Sequence, residues 1–340
     1  MKRVFLWTGG ILLALVVVVV LAFRLSPWPS VALISMAFAS GDEFSESRLV
    51  KHVPAGVVSR NDLAYGPGAD EIFDINFPDE QPIARPTIVW VHGGGFIGGS
   101  KDGVANYLKV LAGHGYTVVG LEYSKGFGST YPRPVEQVNA ALGHLVADAD
   151  ELRIDTRKVF LAGDSAGAQI AAQVALLVTD PAYAAALGIA PAVGSDGLAG
   201  TILASGAFDL ASVDLSGDYG WFVRTVLWAY TGVRDFMNDA RFELASVPQH
   251  VGPGFPPTYI TSGNGDPLAP QAVALASRLV AQGVDTESLF FPATREPALP
   301  HECQFTLDDP AGQDSLARML AFIARQVQAL EVPAPSRVDQ

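Results

Sequence analysis

The sequence predicts an α/β fold with a mainly parallel, doubly wound, eight-stranded sheet. Eight short apolar or β-branched runs alternate with stretches of helical periodicity, and this alternation is typical of such a sheet. Several runs are almost continuously apolar, as strands covered on both faces are. A Gly-Asp-Ser-Ala-Gly motif at 163–167 separates one such run from a helical stretch. The 340 residues suffice for one large domain of this class and a short appendage.

The predicted strands follow one another in a regular order after residue 56. They occupy residues 57–65, 71–77, 87–91, 117–123, 159–162, 201–205, 258–263 and 288–291. Helical patterns with an apolar side chain every three or four positions lie between and after them. These patterns occupy residues 134–152, 169–178, 271–281 and 316–327. We therefore expect one α/β domain over residues 56–330 and a flexible tail over 331–340.

An uncharged apolar run of twenty residues, 4–23, directly follows Lys2 and Arg3. At about 1.5 Å per residue, a helix of this length crosses the roughly 30 Å hydrocarbon core of a bilayer. The run therefore predicts one N-terminal transmembrane helix in contact with the lipid bilayer. Two basic residues precede it and only Arg24 follows it closely, which predicts a single-pass protein with a cytoplasmic N terminus.

The segment after this run leaves one alternative open. We expect a membrane anchor over residues 1–25 and a linker or interfacial segment over 26–55, with the folded domain on the non-cytoplasmic side. A signal peptide cleaved near Ala39 is the alternative, because Ala-Phe-Ala at 37–39 is a small-x-small site. Cleavage there would give a secreted protein. The long apolar run and its distance from that site favour the uncleaved anchor.

The charge of the chain excludes several classes of partner. There are 22 basic and 35 acidic residues, for a net charge of −13. Three basic residues and no acidic one lie among the first 24, so the remainder has a net charge of −16. Such a body is unsuited to nucleic acid. The only cysteine is Cys303, and the chain contains no His-x-x-x-His or Glu-x-x-His pair. We therefore expect no disulfide, metal or other cofactor.

Ser165 lies at the centre of the Gly-x-Ser-x-Gly motif, between the run 159–162 and the helical stretch 169–178. This arrangement is typical of a nucleophile elbow, in which a tight turn points the serine out of the carboxyl edge of the sheet. A Cβ at either flanking glycine would crowd the neighbouring backbone. Ser165 is therefore the predicted nucleophile. Asp164 is expected to hold the turn by local hydrogen bonds.

A second glycine motif, His-Gly-Gly-Gly-Phe at 92–96, follows the predicted strand 87–91. Consecutive glycines let backbone N–H groups converge on one point, where they can stabilise the oxyanion of an acyl-transfer intermediate. Phosphate binding is the alternative for a glycine-rich turn after a strand. The chain has no Gly-x-Gly-x-x-Gly spacing that runs into a helix and no Gly-Lys-Ser/Thr, which disfavours it.

These motifs, together with Gly-Asn-Gly-Asp-Pro-Leu at 263–268 and Pro-His at 300–301, resemble the hormone-sensitive-lipase-like esterases and lipases of the α/β-hydrolase superfamily. The resemblance covers about residues 56–327. It implies an α/β-hydrolase fold with a helical cap.

The resemblance also implies roles for residues of the first glycine motif. The oxyanion-hole N–H groups would be those of Gly94, Gly95 and Ala166. His92, with Gly93, would order this loop, and His92 would not be the catalytic base.

The base and its partner follow from the order of residues in the chain. The α/β-hydrolase order is Ser, then Asp or Glu, then His, so the base must follow Ser165. Only His250 and His301 do, and His301 follows the last predicted strand on a loop. His250 lies before the strand 258–263 and is interpreted as a surface or capping histidine. Asp266 follows the penultimate strand and is predicted to orient His301.

An aromatic-rich insert, residues 208–257, is predicted to form part of the cap over the active-site edge. Aromatic side chains there and beside the glycine loop can line an acyl pocket, and ordinary packing is the alternative. The predicted substrate contacts are Phe96, Trp221, Phe222 and Trp228.

The predicted function is a serine carboxylic-ester hydrolase that acts through an acyl-enzyme. Short- to medium-chain acyl esters are expected from the family resemblance, and the substrate is a small-molecule or lipid-like ester. Two alternatives remain open. A peptidase or amidase uses the same triad, and a membrane-tethered binding module could keep the fold without catalysis. The complete set of predicted catalytic residues argues against the binding module.

Overall fold

An eight-stranded sheet forms the centre of the computed structural model, which describes residues 2–79, 83–126, 129–217 and 219–331. The strands are β1 (Val57–Ala64), β2 (Ile72–Pro78), β3 (Arg85–Val91), β4 (Thr117–Leu121), β5 (Ile154–Asp164), β6 (Gly200–Ala204), β7 (Thr258–Ser262) and β8 (Thr286–Phe290). Their spatial order is β1-β2-β4-β3-β5-β6-β7-β8. β2 pairs antiparallel with β1 and β4, and the remaining pairs are parallel. The predicted eight-stranded, mainly parallel sheet is confirmed.

Helices cover both faces of the sheet and precede it. They are α1 (Lys2–Leu25), α2 (Trp28–Leu49), α3 (Ala105–Ala112), α4 (Arg133–Ala147), α5 (Ala149–Leu152), α6 (Ser165–Thr179), α7 (Pro181–Leu187), α8 (Gly220–Thr231), α9 (Ala240–Glu243), α10 (Ala269–Ala281) and α11 (Pro310–Glu331). Of the predicted tail 331–340, Glu331 ends α11 and 332–340 lies outside the described residues.

The core is divided by the sheet, and the alternation of side chains along β3 shows how. Ile88 and Trp90 pack into the cluster that includes α3 and α11, whereas Val89 and Val91 pack into the cluster that includes α4 and α6. All four side chains are buried. Because β3 is covered on both faces, its last four residues, 88–91, are all apolar, and its carboxyl end leads directly into the glycine loop.

The N-terminal helix α1 exposes most of its large apolar side chains from Ile11 onwards. In the part of the chain that the structure describes, no single helix is long and apolar enough to cross a membrane. Gly10–Leu25 and Trp28–His52 satisfy the length and composition requirement only as a pair, with a bend of 80° between them. The transmembrane helix predicted from residues 4–23 is therefore not confirmed.

The segment expected as a linker, 26–55, contains α2, which packs on the α/β domain. Ser35 Oγ donates to the carbonyl oxygen of Ile97 at 2.9 Å. The Glu46 carboxylate accepts from the N–H of Asn106 at 2.9 and 3.1 Å. Val31 is buried in the main core cluster. These contacts join α2 to loops far away in sequence, so they could not be read from the apolar pattern of the segment itself.

Candidate active site

Ser165 lies at the junction of β5 and α6 with a φ of 48°, a conformation rarely adopted by residues other than glycine. The flanking glycines make this turn possible. A Cβ on Gly163 would lie 2.6 Å from the carbonyl carbon of Gly167, and one on Gly167 would lie 2.0 Å from the carbonyl oxygen of Val91. Only glycine fits at either position, and the turn presents Ser165 at the carboxyl edge of the sheet.

The structure brings together the three residues predicted as a triad. His301 Nε2 lies 3.0 Å from Ser165 Oγ, and His301 Nδ1 lies 2.9 Å from Asp266 Oδ1. The Asp266 carboxylate also accepts from Ser262 Oγ at 2.7 Å and from the N–H of Leu268 at 2.8 Å. With Nδ1–H donating to Asp266, Nε2 is free to accept the Ser165 proton.

The electrostatics of this hydrogen-bonded chain favour a charged carboxylate and a basic imidazole. Burial raises the pKa of Asp266, but the hydrogen bond and charge of His301, with the donors Leu268 and Ser262, lower it below its usual value overall. Burial likewise lowers the pKa of His301. The hydrogen bond to Asp266 and the charges of Glu302 and Asp266 outweigh burial and raise this pKa to about 9.

The glycine loop after β3 is hydrogen-bonded to the elbow that carries Ser165. Gly94 has a φ of 110° and Gly95 a φ of 60°, and a Cβ on Gly94 would lie 2.2 Å from the carbonyl oxygen of Gly98. The N–H of Gly93 donates to Asp164 Oδ2 at 2.8 Å. Within the described residues, the N–H groups of Gly94 and Gly95 have no protein acceptor. They are therefore available to an oxyanion.

His92 supports this loop from behind, as the family resemblance implies. Its Nδ1 lies 2.7 Å from the carbonyl oxygen of Gly93, and its Nε2 lies 3.0 Å from Glu122 Oε1. The ring stacks on Tyr123 with centroids 4.5 Å apart, and Tyr123 Oη donates to the carbonyl oxygen of His92 at 2.9 Å. Sequence reasoning missed Glu122. Its position directly after β4, at the same sheet edge, is the only signal that could have found it.

Asp164 does not hold the elbow by local hydrogen bonds, so that expectation is wrong. Its carboxyl group accepts from Trp90 Nε1 at 2.6 Å and from the N–H of Gly93 at 2.8 Å, tying the elbow to β3 and to the oxyanion loop. The reason is geometric, because the ends of parallel neighbours β3 and β5 lie side by side. Asp164 is buried, and burial together with the charge of Glu302 raises its pKa well above the usual value.

Glu302 extends this carboxyl cluster to the predicted base. Glu302 Oε1 lies 3.5 Å from His301 Nε2, and its carboxyl group is hydrogen-bonded to that of Asp164. Burial and the neighbouring Glu302 favour the protonated form of Asp164, which can donate a hydrogen bond to the Glu302 carboxylate. Glu302 directly follows the predicted base in the sequence. In the structure only 29% of its side chain is exposed.

Two aromatic side chains border the oxyanion loop. A Cβ on Gly95 would lie 3.6 Å from the Phe38 ring and 3.7 Å from the Phe222 ring. The two rings meet edge to face with centroids 6.3 Å apart. Phe222, on α8, was predicted as a substrate contact, whereas Phe38, on α2, was missed because it lies in the expected linker. α2 and α8 thus form a cap over the loop.

The other three predicted aromatic contacts lie elsewhere. Phe96 is buried and stacks on Tyr230 with centroids 4.0 Å apart, so it anchors the loop to the core. Trp221 and Trp228 line a separate cavity between α8 and the end of α1. Among the described residues, no group of three or more His, Cys, Asp or Glu side chains could hold a metal ion.

The strand order, the elbow at Ser165 and the hydrogen-bonded His301 define an α/β-hydrolase, and comparison with known proteins identifies its family. A protein family characterised by the α/β-hydrolase fold matches residues 88–296. The chain therefore belongs to the hormone-sensitive-lipase-like family of the α/β-hydrolase superfamily, as the motifs predicted. It is a carboxylesterase-type hydrolase, which confirms the predicted enzyme class.

Individual relatives agree with this assignment. An acetyl esterase of Salmonella paratyphi B is 29% identical over 253 residues, which are 71% of this chain and 74% of that protein. Esterase B of Lactobacillus Rhamnosis superimposes with a TM-score of 0.74 at 22% identity, covering 88% of this chain and 97% of that one. An esterase of Pyrobaculum calidifontis has a TM-score of 0.68 at 19% identity, covering 87% and 94%. The two solved structures support the fold alone.

Proposed function

We propose that the protein is a serine esterase that hydrolyses short- to medium-chain acyl esters through an acyl-enzyme. The observation that carries the proposal is the continuous hydrogen-bonded chain from Ser165 Oγ through His301 to Asp266. The N–H groups of Gly94 and Gly95, which have no acceptor among the described residues, add to it. A nucleophile in reach of a base, and a base oriented by a carboxylate, is the arrangement that nucleophilic acyl transfer requires.

The geometry assigns a step to each group. Neutral His301 accepts the Ser165 proton as Oγ attacks the ester carbonyl carbon. The N–H groups of Gly94, Gly95 and Ala166 stabilise the oxyanion of the tetrahedral intermediate. His301 then gives the proton to the departing alcohol, and Asp266 stabilises the imidazolium in between. Water, activated by His301 in the same way, hydrolyses the acyl-enzyme and regenerates Ser165.

Short acyl chains are favoured by the space beside the oxyanion loop. Phe38 and Phe222 stand within van der Waals distance of a Cβ placed on Gly95 and narrow that space. The Salmonella relatives are acetyl esterases. Since each extra methylene must fit beside these two rings, we expect activity to peak at a short acyl chain.

The proposal is tested by hydrolysis of p-nitrophenyl esters from acetate to palmitate by the full chain. Ser165→Ala should lower kcat/KM by about 10⁴-fold or more, since the nucleophile is lost while binding remains. Ser277→Ala, an exposed serine on α10, is the matched control and should hydrolyse as the wild type does. A fluorophosphonate should label the wild type and not Ser165→Ala.

The two alternative functions predict different results. Fluorophosphonate labelling without hydrolysis of any ester would point to an amide or peptide bond as the substrate. Neither labelling nor hydrolysis, in a protein that unfolds cooperatively, would favour the non-catalytic binding module.

We propose further that α1 anchors the protein in a membrane, with the catalytic domain on the non-cytoplasmic side. The exposed apolar side chains along α1, including Leu12, Leu13 and Val18, support this because a contiguous apolar surface of this size is unfavourable in water. Cleavage near Ala39 is disfavoured, because it would cut α2 and detach Phe38 from the oxyanion loop.

A further inference from the structure

A cavity of about 640 Å³ lies between the end of α1 and the cap helix α8. No residue of the proposed triad is among the described residues that line it. Part of its wall is apolar and formed by Val19, Val20, Phe23, Trp221, Trp228 and Met237. Trp221 is 61% exposed, which is unusual for so large an apolar side chain. The cavity is thus a separate site from the proposed active site.

The same cavity carries a cluster of positive charge. Arg24, Arg224 and Arg234 all line it, and none of the three forms an ion pair with a carboxylate within the described residues. Arg234 lies over the Trp228 ring, 5.3 Å from its centroid. Asp235 also lines the cavity, and both of its oxygens accept from Asn238 at 3.0 Å. Arg224 also donates to the carbonyl oxygen of Leu215. The cavity therefore holds three guanidinium groups and one carboxylate, and positive charge is in excess.

This cluster contrasts with the protein as a whole, whose net charge is −13. An acidic body is repelled by an anionic surface, so a local positive site is needed before it can approach one. Guanidinium groups bind phosphate oxygens in a bidentate manner, and tryptophan is enriched where a protein meets the bilayer interface. Arg24 lies in the last turn of α1, and Arg224, Arg234 and Trp221 line the same cavity. Under the proposed anchoring, this turn lies at the bilayer interface.

We propose that this cavity binds the phosphate group and the adjoining acyl chain of an anionic phospholipid, which holds α8 and the cap against the bilayer. The inference rests on the proposed anchoring of α1. The volume suits a phosphate headgroup and the first part of one chain, because sites for small molecules span about 300–1,000 Å³. The arginines hold the phosphate, and Val19, Phe23 and Trp228 contact the chain.

The test uses the full chain reconstituted into vesicles of phosphatidylcholine, with or without phosphatidylglycerol, whose acyl chains are brominated. Bromine quenches the fluorescence of nearby indole rings. The fluorescence of the wild type minus that of Trp221→Phe/Trp228→Phe isolates the signal of these two tryptophans. We expect quenching of this difference signal that is stronger with phosphatidylglycerol and weakens as salt is raised.

An arginine variant tests the charges. Arg224→Gln/Arg234→Gln should lower the ratio of quenched to unquenched signal about 30-fold, the effect of two basic residues near an anionic surface. Arg157→Gln/Arg278→Gln removes the same charge from exposed positions outside the cavity and should leave the ratio unchanged. Cooperative thermal unfolding of each variant shows that it is folded. If a variant does not fold, the salt dependence of quenching in the wild type still tests the role of the charges.

Each result decides between the two proposals. Quenching that is equal in both lipids, indifferent to salt, or unchanged in Arg224→Gln/Arg234→Gln overturns the lipid site, while flotation of the protein with the vesicles still supports anchoring. A protein that floats with neither kind of vesicle overturns both. Ester hydrolysis and Ser165 labelling are read separately, so the esterase proposal stands or falls on its own.

Discussion

At the scale of single residues, Glu302 is the side chain that distinguishes this site. It directly follows the predicted base and has a φ of 57°. A residue other than glycine in this region costs roughly 1–2 kcal/mol of backbone strain. This backbone conformation accompanies a carboxylate position 3.5 Å from His301 Nε2, where the charge of Glu302 stabilises the imidazolium. This suggests that Glu302 sets the pH range of the enzyme.

We predict that Glu302→Gln extends activity to lower pH. His301 must be neutral to accept the Ser165 proton, and its pKa is raised to about 9, so kcat/KM of the wild type should fall as pH drops below that value. Removing the negative charge of Glu302 lowers the pKa of His301, while the hydrogen bond and charge of Asp266 remain. The acid limb of the pH profile, measured with p-nitrophenyl acetate, should therefore move to lower pH.

The matched control is Glu136→Gln, a half-buried glutamate on α4 that pairs with Arg133. Its pH profile should coincide with that of the wild type. A limb that stays in place or moves to higher pH in Glu302→Gln would show that the charge beside His301 does not control the base.

The catalytic residues could be predicted from residue types at characteristic positions in the sequence. Ser165, Asp266 and His301 were each placed after a predicted strand, and parallel strands bring such positions to one edge of the sheet. The hydrogen-bond partners of Asp164 could not be predicted from the sequence in this way. Trp90 and Gly93 are distant from it in sequence, and only the pairing of β3 with β5 brings them into contact.

At the scale of elements, α2 is the part of the cap that the sequence did not predict. Its Phe38 ring approaches Gly95 and Gly98, and it meets Phe222 of α8 edge to face. The cap is therefore assembled from one segment before the glycine loop and one segment between Ser165 and Asp266 in the chain. No local pattern in the sequence predicts such a contact. An apolar residue in a segment expected at a membrane interface could equally well contact lipid.

We predict that Phe38→Ala widens the space beside the oxyanion loop. The ratio of kcat/KM for octanoate to that for acetate should rise on the order of tenfold, since a few methylenes gain room. Stability should fall by about 1–3 kcal/mol, less than for a fully buried phenylalanine, because Phe38 is only partly buried. p-Nitrophenyl ester kinetics and urea unfolding measure the two effects.

Leu33→Ala on the same helix is the control, because Leu33 is 59% exposed. It should leave both the ester preference and the unfolding free energy close to those of the wild type. A Phe38→Ala enzyme with unchanged chain-length preference would remove α2 from the acyl site.

At the scale of the whole molecule, the proposed topology follows from the distribution of charge. Lys2 and Arg3 precede the apolar run and Arg24 follows it, which favours a cytoplasmic N terminus.

We predict that, in a bacterial host, protease added to spheroplasts digests the catalytic domain. Lys2→Glu/Arg3→Glu should protect a larger share of it. A wild-type catalytic domain that is fully protected until the cells are lysed would contradict the proposed orientation.

The sequence by itself determined the fold class, the order of the eight strands along the chain and the family. These depend on periodicity and on short motifs, which are local properties of the chain. Only the tertiary structure decided which side chains meet across the sheet edge, because strand order and helix packing set those distances. Glu122 behind His92, Glu302 against Asp164, and Phe38 over Gly95 are contacts of this kind.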